Sequence, residues 1–206
     1  MYCANNPVNY VDPSGHKSKG YVETNHSELR TCTDGKIANK YERERCKRKK
    51  KDPYKDDSHD CSTSCFQKVV ASDEIPYIVV PPSKSKYRFC SGVIINRNNG
   101  NYLYCVVAEV GREKKGMGEV SIYASWKMRG WKIPEKNKKV PNRKKIGETG
   151  AEGSWKIIMI NKSEPNRKDK YNKFGWKYTK TSRLRKQIKK IGKKYYKGGR
   201  RGKCLN

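Results

Sequence analysis

The chain is short of several things, and each shortage excludes something. No apolar run approaches the roughly 18 residues of a membrane-spanning helix, so no membrane span is expected. No basic segment followed by an apolar stretch opens the sequence, so no Sec-type signal peptide is expected, and export would depend on a larger carrier. Apolar residues make up only 33%, the same share as charged ones, which limits the core and leaves stretches too polar to pack. Acids are scarce: 20 Asp and Glu face 49 Lys and Arg, a net charge of +29. A surface this cationic repels cationic partners and draws polyanions such as nucleic acid, anionic lipid or acidic wall polymer. The length, 206 residues, suits one medium domain with appendages.

Metal ligands are few as well. The three histidines, His16, His26 and His59, all fall within the first 60 residues. The eight cysteines contain no CxxC pair, which argues against a zinc ribbon. His59, Cys61 and Cys65 cluster without an evident fourth ligand, so neither a metal nor another cofactor is expected. Disulfides of open connectivity are the expectation for an exported domain, and buried free thiols for a cytosolic one.

What is present organises into blocks. Residues 1–15 are turn-rich, with Asn5-Asn6-Pro7 and Asp12-Pro13-Ser14-Gly15. Residues 16–60 read as a polar, then basic, linker that includes the run Lys47-Arg48-Lys49-Lys50-Lys51. The β-branched run from Glu74 to Pro82 predicts a buried strand, and Phe89 to Ile95 a second. Asn98-Asn99-Gly100-Asn101 predicts a hairpin turn into a third strand, Tyr102 to Val110. Val120 to Met128 fits strand or helix, and Trp155 to Ile160 a last strand. Residues 167–206 hold 17 Lys and Arg against one acid, Asp169, with interleaved aromatics. Within them Leu184, Ile188, Ile191 and Tyr195 recur at helical spacing, which predicts a basic amphipathic helix.

The best chemical candidate is the stretch from Glu109 to Ser121. Glu109 ends an apolar strand, a glycine-containing loop follows, and Glu119 opens the next element. Two carboxylates at neighbouring strand ends can straddle a scissile bond, one giving a proton and the other activating water. Spacing alone also fits a plain hairpin with two solvated glutamates.

Two resemblances bear on these blocks. The string MYCANNPVNYVDPSG resembles the closing signature of the Rhs repeat-associated core, Y-x-x-N-N-P-x-x-x-x-D-P-x-G, through Tyr2, Asn5, Asn6, Pro7, Asp12, Pro13 and Gly15. In that family a variable effector domain, often a toxin, follows directly. The segments IPYIVVPP, SGVIINRNNGNYLYCVVAEVG and MGEVSIYASWKM resemble the core of family 75 glycoside hydrolases, the chitosanases. Pro76, Tyr77, Val79, Pro81, Val107, Gly111, Gly118, Glu119, Ser121 and Ala124 match its pattern. That resemblance implies a catalytic pair at Glu109 and Glu119. Glu109 stands where the family has aspartate, and Ala108 precedes it in place of glycine. The family's acidic upstream block is replaced here by the basic RERCKRKKK.

Together these give a mostly β fold, a small barrel-like or sandwich-like catalytic core with a basic helical C-terminal tail. The expected division is an Rhs remnant at 1–15, linker at 16–60, chitosanase-like domain at 61–165 and basic tail at 166–206. The expected activity is a toxin-type hydrolase cutting a polysaccharide, with Glu109 and Glu119 catalytic and Tyr77, Arg112, Lys114, Lys115 and Ser121 binding substrate. Chitosan is itself a polycation, so a neutral or acidic glycan suits the charge better. A ribonuclease on the same scaffold is the rival, with basic residues on phosphate and tail aromatics on bases; there His59 is an alternative base. A non-catalytic cationic binding module is the third reading. An acidic immunity protein is the expected partner, and secretion or delivery into a target cell within a larger Rhs protein the expected route.

Overall fold

The computed structural model describes residues 21–32, 71–111, 113, 116–131, 151–160, 174, 176, 180–197 and 202–206. Six strands form its frame: β1 (Tyr21–Cys32), β2 (Tyr77–Val80), β3 (Ser91–Asn96), β4 (Tyr102–Val110), β5 (Glu119–Ser121) and β6 (Ala151–Ile160). They hydrogen-bond in the order β1-β5-β2-β4-β3-β6 and close into a barrel. Two helices complete it, α1 (Ile122–Met128) and α2 (Thr181–Tyr195). The expectation of a mostly β, barrel-like core with a C-terminal helix is met.

The central strands form where the apolar runs lie. β2 is buried at every residue, and β4 at all but its last, as expected of strands covered on both faces. β3 and β4 make an antiparallel hairpin, with Ile95 opposite Tyr102. Its turn uses Gly100 at φ 74, a conformation glycine adopts without steric cost, and Asn96 Oδ1 accepts from the Asn98 amide at 2.9 Å. The stretch of open assignment resolves into both options. Residues 119–121 are strand and 122–128 helix, because the Ser121 hydroxyl caps α1 by accepting from the Ala124 amide at 3.2 Å.

The linker reading of 16–60 needs correction over its described part. Tyr21–Cys32 is a twelve-residue barrel strand, antiparallel to β6 along most of its length and parallel to β5 from Arg30 to Cys32. Val22, Thr24 and His26 are half-buried, while Glu23, Asn25 and Ser27 face solvent. That is a strand's period of two written mostly in polar residues.

The tail is likewise part of the core. Leu184, Ile188 and Tyr195 bury one stripe of α2, which packs on β4 and β3. Phe174, Trp176 and Tyr196 are buried with it, and Trp176 Nε1 donates to the Phe89 carbonyl at 2.7 Å. The chain end then pairs with β4: Tyr102 N donates to Lys203 O, and Leu205 N to Tyr102 O. Rings expected to stack on nucleobases are thus committed to packing; Tyr171 and Tyr178 lie outside the described residues. Cys105 is a buried free thiol and Cys204 a half-buried one, the free-thiol alternative at these two positions. Burial pushes the Cys105 thiol well up. Residues 1–15, His59, Cys61 and Cys65 fall outside the described residues. Among the described residues no helix is long and apolar enough to cross a membrane.

Gly192 marks the closest approach of α2 to the sheet, since a Cβ there would overlap the ring of Tyr104. Tyr104 cannot retreat easily, because it is buried and its hydroxyl donates to the Tyr196 carbonyl at 2.6 Å. Alanine adds up to about 1 kcal/mol of helix propensity over glycine. Overpacking a filled core costs about 1–3 kcal/mol. Gly192→Ala is therefore expected to lower stability by about 1–2 kcal/mol in urea unfolding. A more stable variant would show that α2 does not dock on Tyr104.

Candidate active site

The register brings the two glutamates of interest to one place. β2 lies between β4 and β5, parallel to the first and antiparallel to the second. Val79 is opposite Glu109 on β4. On its other side the Ile78–Val120 pairing sets Val79 opposite Glu119. The glutamates thus flank one residue at the end of the barrel where β2 and β4 finish and β5 begins. Both are buried, Glu109 at 8% exposure and Glu119 at 6%.

Local backbone devices set this arrangement. Ile78 pairs with Val107 and Val79 with Glu109, so Ala108 is an extra residue in β4. A bulge of this kind turns the side chains that follow it, and bulges recur beside active sites for that reason. Gly111 comes two residues after Glu109. A Cβ on it would meet Val79 Cγ1 at 2.9 Å and Glu119 Oε2 at 3.5 Å. Glycine there keeps space in front of the Glu119 carboxylate. The approach to β5 runs through Gly116 at φ 58 and Gly118 at φ 103, both in the left-handed region.

Strand β1 braces the same turn, and its residues were not anticipated from sequence. Arg30 lies opposite Glu119 in the parallel register. Its amide donates to Gly118 O at 2.8 Å, and its guanidinium to Met117 O at 3.3 Å. His26 packs on the same glycine, with Nδ1 3.1 Å from where a Gly118 Cβ would stand. Its Nε2 lies 2.8 Å from Thr24 Oγ1. The one available signal was the alternation of Val22, Thr24 and His26 with Glu23, Asn25 and Ser27. Glu113 was missed too. Its carboxylate accepts from the Ser83 hydroxyl at 2.6 Å and the Ser83 amide at 3.1 Å, tying the loop after β4 to the 3-10 turn at Pro82–Tyr87. Those bonds hold the Glu113 carboxyl below its ordinary range.

The expected binding residues fare differently. Tyr77 and Ser121 are each 0% exposed and cannot touch a substrate from there, which corrects that expectation. They hold β2, β5 and α1 together: Ser121 Oγ accepts from the Tyr77 amide at 3.1 Å, and Tyr77 donates its hydroxyl to Ser72 Oγ at 3.1 Å. Arg112, Lys114 and Lys115 lie outside the described residues. Among the described residues no group of histidine, cysteine or acid side chains could hold a metal ion. No family model matches the chain, and no curated protein matches it.

His26 offers a test of this bracing. Burial, and then the charge of Arg30, lower its pKa from 6.5. The unfolded chain therefore binds a proton more readily than the folded one, and folding loses stability as pH falls below about 6.5 toward the lowered value. Stability measured from pH 7.5 to 5 is expected to fall more steeply in the wild type than in His26→Gln. Equal acid slopes would mean that the imidazole is not held against Gly118 as described.

Proposed function

We propose that the chain is the C-terminal effector domain of an Rhs-type protein, and that its barrel is a glycoside hydrolase using Glu109 and Glu119 as an acid–base pair. The observation that carries this reading is the placement of two buried carboxylates on either side of Val79, with a glycine keeping space in front of one. Their backbones stand two strand spacings apart, roughly 9–10 Å. The proposed reaction is the inverting one, in which a water as well as the sugar stands between the two carboxyl groups. In that reaction one carboxyl group gives its proton to the glycosidic oxygen as the C–O bond breaks. The other carboxylate takes a proton from water as the water oxygen bonds to the anomeric carbon. Exchange with solvent restores both glutamates.

The resemblance of residues 60–162 to family 75 chitosanases supports the choice of a glycosidic bond. The net charge of +29 favours a neutral or acidic glycan over chitosan. The Rhs-like opening supports secretion, or delivery into a target cell, within a larger protein. The cationic surface suits an acidic immunity protein as partner. A ribonuclease reading keeps the same carboxylates, with Arg112, Lys114 and Lys115 at the phosphate. It loses the base-stacking role of Phe174, Trp176, Tyr195 and Tyr196, which are buried.

Purified protein incubated with wall polysaccharide, with chitosan and with tRNA is expected to cut a glycan and leave RNA intact. The new reducing ends should show inverted anomeric configuration by NMR. Glu119→Gln and Glu109→Gln should each lower the rate by about 10²–10⁴-fold while the circular dichroism spectrum is kept. RNA cleavage that disappears in Glu119→Gln would sink the glycosidase reading.

A further inference from the structure

A groove of about 690 Å³ opens where β3 ends and β4 and β6 begin. β4 carries Glu109 roughly 24 Å along the strand from Tyr102, whereas Glu119 is nearer, since it lies opposite Arg30 and the adjacent Leu29 pairs with Ala151, where β6 begins. The groove is a different place from the carboxylate pair, and the proposed reaction does not use it.

Its walls are rich in donors and cations. Trp131 lies on its rim at 39% exposure, the large apolar side chain most open to solvent among the described residues. The Arg129 guanidinium sits over the indole, 4.6 Å from the ring centre. Asn96, Asn99 and Asn101 face the groove, and each uses its Oδ1 to accept from a backbone amide, of Asn98, Asn101 and Lys203 respectively. The Nδ2 group is the end of each that remains to donate. Lys127 adds a second cation, and Glu152 is the one carboxylate in the lining.

The cationic character continues beyond the groove. Lys127 and Arg185 approach the same ring, Tyr123, at 5.9 and 5.5 Å, which links the groove's edge to α2. Helix α2 has no acid in its fifteen residues. Arg183, Lys186, Lys190 and Lys193 are exposed at spacings of three and four, one cationic stripe. Like charges at those spacings repel, and cations in the first turn oppose the helix dipole. A bound polyanion relieves both costs.

We propose that this groove, continued by the exposed face of α2, binds an anionic polysaccharide. One sugar ring stacks on Trp131, the asparagine amides donate to ring oxygens, and carboxylate or phosphate groups meet Arg129, Lys127 and the helix lysines. The class of polymer rests on the proposed hydrolase. A single exposed large ring among the described residues also suits one sugar better than a run of nucleobases, which needs successive stacking platforms. The site holds the polymer in a groove that neither glutamate lines, while the carboxylates act outside it.

Calorimetric titration of the full chain tests this with an oligouronate, an oligo(glycerol phosphate), a neutral oligosaccharide of equal length and a single-stranded oligoribonucleotide of equal charge. At least one anionic oligomer of the first two is expected to bind at least about tenfold more tightly than the neutral one. The tighter of them identifies carboxylate or phosphate as the group held. Trp131→Ala should weaken that binding by about tenfold or more, as truncation of a central aromatic anchor does. Lys186→Gln/Lys190→Gln should make its loss with rising salt shallower. Equal affinity for the neutral oligomer, or no effect of Trp131→Ala, overturns the site. Tighter, Trp131-dependent binding of the oligoribonucleotide overturns the polysaccharide assignment. Glu119→Gln should bind as the wild type does. Binding by a wild-type protein that cuts no glycan would remove the hydrolase and leave the site standing.

Discussion

Backbone pairing of β1 along both of its edges is the constraint on which the rest of the barrel depends. Without it β5 and β6 would each present a row of unpaired amides and carbonyls, and the sheet would be open. Closure costs the ordering of twelve residues, most of them polar, with Leu29 the one fully buried side chain described in the strand. The return is a long ladder of long-range hydrogen bonds to β6, its register shifted once between His26 and Glu28, and a short parallel one to β5. That parallel contact carries consequences for the site, because it sets Arg30 beside Glu119 and the His26 ring against Gly118. A strand that closes the fold therefore also holds the turn from which one candidate catalytic carboxylate projects.

The second carboxylate depends on a different device. β2 and β4 run parallel, and a regular parallel ladder would set Ala108, not Glu109, opposite Val79. The extra residue at Ala108 shifts the register by one and sets Glu109 level with Glu119 across β2. The alanine is small and fully buried, as an inserted residue in a packed wall must be. Glycine in its place would serve the same bulge at a greater cost in chain entropy. Glu109 extends its carboxylate one methylene farther than an aspartate there would.

The legibility of the chain follows the origin of each element's stability. β2, β3, β4 and the hairpin between them were legible because their own side chains are apolar and β-branched, and their turn is Asn-Gly. α2 was legible from the spacing of Leu184, Ile188 and Tyr195, but its docking was not, because the basic composition read as a tail. β1 was not legible, since its stability lies in pairing with residues about 90 to 140 positions away, which local composition does not report. That Glu109 and Glu119 come to neighbouring strand ends was legible from their place in the apolar runs. Tyr77 and Ser121 were misread because a matched motif residue can serve the scaffold as readily as the substrate. Their hydrogen bonds join β2 to the cap of α1, and that role requires burial.

The burial of the tail aromatics changes what the charge can mean. Rings interleaved with lysines along a flexible segment would suit single-stranded nucleic acid. Here Phe174 stacks on Trp176 at 5.7 Å and meets Tyr195 edge-on at 5.6 Å, a packed cluster beneath α2. The same packing turns the lysines and arginines of the helix outward as a fixed array. Fixed cations select for charge and spacing rather than for bases, and the exposed large ring among the described residues is Trp131, reached from α2 across Tyr123 and Lys127. The folding of an apolar stripe into the core is thus what makes the opposite stripe a surface of defined geometry. An anionic polymer that follows this surface needs only one ring-stacking step to be held in register.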